Sequence, residues 1–120
     1  MSLSMSQYYM ISDELDRTVA GLARGLGKRY VEGLSLEGRE NLARALLHND
    51  ETATRNLPQL VITPRQWAQI LRDVVTRVVG KYEPDDEDMQ HYGAFFDQYA
   101  DTIGTSYYVY QTILNECVYR

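Results

Sequence analysis

Asp88 and His91, three residues apart, set a carboxylate and an imidazole on one face of any helix that holds them, with Asp85, Asp86 and Glu87 beside them. Helical di-metal sites take such a pair from each of two helices and add further carboxylates. One pair is present, and His48 stands in no comparable setting. An acidic first turn next to a surface histidine accounts for the pattern, so no metal is expected. Neither histidine has a nucleophile at a recognisable spacing, and Cys117 falls on an apolar face, where a thiol serves as packing. Residues 21–28 imitate a phosphate-cradling loop and fail as one. Five residues separate Gly21 from Gly27 where four are needed, Arg29 replaces the hydroxyl residue, and no strand precedes. No cofactor is implied, and the chain is not expected to be an enzyme.

Charge is the stronger signal. Ten of the twelve bases are arginine, and eleven of the twelve lie in residues 17–81, which sum to +5; residues 1–16 carry −3 and residues 82–120 carry −7. Arginine suits bidentate phosphate or carboxylate contacts. Arg39, Arg44 and Arg55, then Arg65, Arg72 and Arg77, fall on two expected helices and their link. About 14 residues separate those helices, too many for a DNA-reading helix-turn-helix, and the acidic balance opposes broad phosphate attraction. Nucleic-acid binding through the arginines of residues 39–77, chiefly Arg65, Arg72 and Arg77, is therefore the alternative reading. The acidic end also holds nine of the thirteen aromatic residues. Tyrosine is enriched at protein interfaces, where the ring packs and the hydroxyl stays wet. Asp85, Asp86, Asp88, Tyr92, Asp97, Asp101 and Tyr108, within segment 82–110, are the expected partner-binding residues. Asp97 and Asp101 share a face at i, i+4.

The elements that must position these groups read as helices. Residues 1–11 carry no helical period and are expected to be a loosely ordered segment. A first helix is expected to start at Ser12, an N-cap before Asp13, Glu14 and Asp16, and to bury Leu15, Val19, Leu22, Leu26 and Tyr30. Gly21 and Gly25 offer a second helix, from this chain or another subunit, a close approach. A second helix, from Ser35 to about His48, is expected to bury Leu36, Leu42 or Ala43, Leu46 and Leu47. Asn49-Asp50 signals a turn. Thr52 is placed to cap one short turn, and Leu60-Val61-Ile62 to form a buried connector.

The clearest signal is Thr63-Pro64-Arg65-Gln66, a capping box with proline at the first helical position, stapled by Ile62 and Trp67. Trp67, Ile70, Leu71, Val74, Val75, Val78 and Val79 then repeat at helical spacing until Gly80 closes the central core helix. A fourth helix, acidic at its start, is expected to present a seam of Met89, Tyr92, Phe96, Tyr99 and Ile103, broken at Gly104-Thr105-Ser106. Residues 107–119 read as helix or, from their Tyr-Tyr-Val-Tyr opening, as strand.

The resulting expectation is an all-α, single-domain bundle of four to five helices over residues 12–120. The length of 120 residues suits one core without disulfides. No run of about 18 apolar residues suggests a membrane span. No secretory leader is recognised, and the single cysteine fits a reducing cytoplasm. The expected function is protein–protein contact: a small acidic intracellular regulator, inhibitor or adaptor docking on a larger partner, alone or as a homodimer.

Overall fold

The protein is all-α. The computed structural model describes residues 3–100 and 103–119. Among these, α1 (Met5–Glu32), α2 (Leu36–Leu47), α3 (Glu51–Arg55), α4 (Pro64–Val79), α5 (Asp86–Ala100) and α6 (Ile103–Cys117) follow in order, with no strand. The sixth helix beyond expectation is the five-residue α3, in the link after α2. Its cap is Asp50 rather than Thr52: Asp50 Oδ1 accepts from the Thr52 and Ala53 N–H groups at 2.9 and 3.4 Å. The strand alternative for residues 107–119 gives way to α6. The expected break at Gly104-Thr105-Ser106 also falls inside α6, which starts at Ile103.

The chain divides into two compact units, unit 1 (Met1–Val19 with Val61–Thr102) and unit 2 (Ala20–Leu60 with Ile103–Arg120). Helix α1 contributes to both. Its buried positions Ile11, Leu15, Val19, Ala23, Gly27 and Val31 recur every four residues, with Ala20 beside them. Leu22, expected in the stripe, lies off this four-residue spacing and is exposed.

In unit 1, α1 begins at Met5, seven residues before the expected start. Ser4 and Gln7 form a capping box: the Gln7 N–H donates to Ser4 Oγ at 3.1 Å, and the Ser4 N–H donates to Gln7 Oε1 at 3.0 Å. Residues 5–11 are therefore helical rather than loose, and Ile11 is fully buried. Helix α4 follows its sequence signals closely. The Thr63 and Gln66 box closes at 2.9 and 3.2 Å, and Gly80 ends the helix in the left-handed region at φ 93°. Trp67, Leu71, Val74 and Val75 are buried, and Ile70, Val78 and Val79 half-buried. Burial of each large aliphatic side chain contributes about 1.5–3 kcal/mol. Arg77 joins α4 to α1 through Glu14 at 3.0 Å. Among the described α5 side chains Asp88, Tyr92 and Phe95 are buried; of the expected seam, Tyr92 is inside and Met89 is exposed. The Phe96, Tyr99 and Ile103 side chains lie outside the described residues.

In unit 2, Ala23, Val31, Leu46, Leu57, Val109 and Ile113 form the core, with Leu26, Tyr30, Leu42 and Cys117 packed against it. Ser35 caps α2, accepting from the Gly38 N–H at 3.0 Å. Leu36 and Leu47, expected inside, are 79% and 62% exposed, because a 12-residue helix with leucines all round can bury only one side of itself. Val61, expected in a buried connector at the start of unit 1, is likewise exposed. The close approach on α1 occurs at neither Gly21 nor Gly25 but at Gly27. A Cβ there would lie 3.0 Å from the Thr112 side chain and 3.2 Å from the Val109 carbonyl oxygen of α6.

Candidate interaction surface

The expected partner-binding residues separate by role. Asp85 and Asp88 turn inward onto backbone. The Asp88 N–H donates to Asp85 Oδ1 at 2.8 Å, and the Asp85 N–H donates to Asp88 Oδ2 at 3.2 Å. This is a capping box with aspartate at both ends, which suits the positive end of α5. The bond from the Asp88 N–H holds the Asp85 carboxyl below its ordinary value. Asp88 is only 2% exposed, so it offers no charge to a partner.

Tyr92 is also buried. Its ring stacks on Tyr82 with centroids 6.0 Å apart, and the Arg72 guanidinium lies 5.0 Å above the Tyr82 centroid. Burial first, then the charges of Asp88 and the groups around it, push the Tyr92 hydroxyl up to about 12. Tyr92 and Asp88 are thus parts of the fold of unit 1. Asp86 and Asp97 are exposed on α5, and Asp101 lies outside the described residues. Tyr108 is exposed on α6, in unit 2, edge-on to Tyr107 at 5.9 Å.

The arginines are mostly engaged at home. Arg72 lies over Tyr82, Arg77 pairs with Glu14, and Arg65 is exposed at the start of α4. In unit 2, Arg39 Nε donates to the Val31 carbonyl at 3.2 Å, and Arg55 pairs with Glu51 at 3.4 Å. His91 lies 4.0 Å from Glu87 and edge-on to Tyr8, with ring centroids 5.2 Å apart. No group of three metal-ligating side chains occurs among the described residues. Burial pushes the Cys117 thiol up, with Glu116 adding to the shift and Arg39 opposing it, which disfavours the reactive thiolate.

Sequence reasoning missed the surface at the start of α1. Leu3, Ser4, Met5 and Tyr8 face Glu87 and His91 of α5 across a cleft of about 390 Å³. Tyr8, one of its lining residues, is stacked on Phe95 at 5.0 Å and edge-on to Tyr9 at 5.9 Å. The signal was present in Ser4-Met5-Ser6-Gln7, a capping box that places Met5 and Tyr9 four apart on one helical face. A second cleft, of about 440 Å³, lies in unit 2 among Glu51, Arg55, Leu57, Pro58 and Tyr110.

Charge follows the units. Summing side chains over their sequence ranges gives −6 for unit 1 (five bases, eleven acids) and +1 for unit 2 (seven bases, six acids), which returns the chain total of −5. Unit 1 also exposes Met5, Tyr9, Met10 and Met89. No helix among the described residues is long and apolar enough to cross a membrane. The chain matches no protein-family model, no curated protein and no solved structure.

Proposed function

We propose that this chain acts by protein–protein contact, as a small acidic regulator, inhibitor or adaptor inside the cell that docks on a larger partner through unit 1. The observation that carries this reading is the coincidence, in one unit, of a −6 charge with exposed methionine and tyrosine. Methionine is unbranched and polarizable and adapts to partner surfaces, while an acidic field steers and selects basic partners. Of the partner-binding carboxylates expected on α5, Asp86 and Asp97 remain exposed to a partner; Asp85, Asp88 and Tyr92 hold the unit together behind them.

The test is capture of partners by the tagged chain from nuclease-treated lysate, followed by mass spectrometry. A stoichiometric protein partner that Asp86→Lys with Asp97→Lys abolishes, while helical circular dichroism is kept, is the expected result. Loss of all co-purifying material on nuclease treatment would overturn the proposal and move function to Arg65, Arg72 and Arg77, with binding that falls steeply with salt.

A further inference from the structure

The exposed face of α1 in unit 1 has an order of its own. Met5, Tyr9, Asp13 and Asp16 are all exposed and follow at spacings of four, four and three, which keeps them within one side of the helix. The first two are apolar or aromatic, and Met5 also lines the cleft that Tyr8, Glu87 and His91 complete. The last two are carboxylates. None of the six described residues lining the cleft is lysine or arginine. The face extends over about three turns, or about 16 Å, the length of a short helix laid alongside.

We infer that this face is the seat of a basic amphipathic helix of the partner, with an apolar anchor entering the cleft beside Met5 and Tyr8 and lysines or arginines lying over Asp13 and Asp16. The inference rests on the reading of unit 1 as the contact unit. Charge complementarity selects this occupant. A unit at −6 favours a cationic helix, and unit 2 of a second copy, at +1, supplies little of what the face lacks. Burial and the neighbouring charge of Asp13 together push the Asp16 carboxyl up. Glu87, 4.0 Å from His91, offers a further carboxylate in the lining of the cleft.

The full chain, carrying isotope-labelled methionine methyl groups, is titrated with a 14-residue leucine–lysine amphipathic helix and, separately, with its leucine–glutamate counterpart. The lysine peptide is expected to shift the Met5 signal and leave Met10, which lies off this face, nearly still. Asp13→Asn with Asp16→Asn should weaken its binding about five- to tenfold, as expected for two exposed ion pairs. Glu37→Gln with Glu40→Gln, exposed on α2 in unit 2, should leave it within about twofold.

Equal binding of the glutamate peptide, or no binding of either, overturns the inference. So does a Met5 shift that tracks protein concentration without peptide, which would identify a second copy as the occupant. If Asp86 and Asp97 control peptide binding while Asp13 and Asp16 do not, the inference fails and unit 1 remains the contact unit. Partner capture that depends on no unit 1 carboxylate would sink the broader reading itself.

Discussion

Unit 1 and unit 2 share α1 yet solve the packing problem differently. Unit 1 buries large side chains at strict spacing, with Trp67, Leu71, Val74 and Val75 on α4 and Ile11, Leu15 and Val19 on α1, and locks its chain turn with the Arg72, Tyr82 and Tyr92 stack. Unit 2 closes through small residues: Ala23 is fully buried and Gly27 lets α6 approach at van der Waals limits. Aliphatic and aromatic side chains fill the core of unit 1, and the methionines and carboxylates left outside give it a surface with chemical character. The contrast teaches that the acidic surplus seen along the sequence is a property of one unit, assembled mainly from Asp13, Glu14 and Asp16 of α1 and from the acids of residues 83–101.

The two units carry separate reporters, which makes the comparison breakable. Trp67 is the single tryptophan and is buried in unit 1; Cys117 is the single cysteine and packs against the core of unit 2. Val74→Asp puts an unpaired carboxylate at a fully buried site and is expected to cost about 4 kcal/mol or more. Tryptophan emission should move to the red at temperatures where the parent protein is folded. Ile113→Asp should act similarly in unit 2, read as faster labelling of Cys117. Unchanged emission from the first variant would contradict the assignment of α4 as the core helix of unit 1.

A smaller effect tests how unit 2 closes. Gly27→Ala forces a methyl group against Thr112 and the Val109 carbonyl. Overpacking of this kind costs about 1–3 kcal/mol, more than the roughly 1 kcal/mol that alanine gains in helix propensity. Gly21→Ala meets nothing within 4 Å and should stabilise by up to about 1 kcal/mol. Opposite shifts in the melting temperature are the expected outcome. If both variants stabilise equally, α1 and α6 do not approach at Gly27.

The same contrast explains what the sequence could disclose. Helix α4 was legible to the residue because its cap, proline, staple, period and terminal glycine all agree, and each acts within a few residues. The all-α class followed from such local signals. Packing depended on what lies opposite, which one sequence does not display. Leu22, Leu36 and Leu47 fit helical stripes and yet face out, and Gly27 rather than Gly21 or Gly25 meets α6. The candidate surface was legible as an acidic, tyrosine-bearing region. Its roles were not: Asp85 and Asp88 satisfy backbone N–H groups and Tyr92 is interior, so type and spacing alone marked structural residues as binding ones. The start of α1 was overlooked although Ser4 and Gln7 form the same kind of box that made Thr63 and Gln66 persuasive.

An effect confined to alkaline pH concerns the buried hydroxyl of unit 1. Tyr92 has its pKa raised from 10.0 to about 12, chiefly by burial and then by the negative charge of Asp88. Its neutral form is therefore favoured in the folded state. The stability this contributes is fully present below pH 10 and is lost as the pH rises from 10 through about 12. Titration followed by tyrosinate absorbance should show one tyrosine ionising later than the exposed ones, with unit 1 loosening as it does, visible in Trp67 emission. Tyr92→Phe should remove the late step and move the alkaline loss of the Trp67 signal to higher pH. A titration in which all tyrosines ionise together, with Trp67 unmoved, would place Tyr92 in water and dissolve the stack that distinguishes unit 1 from unit 2.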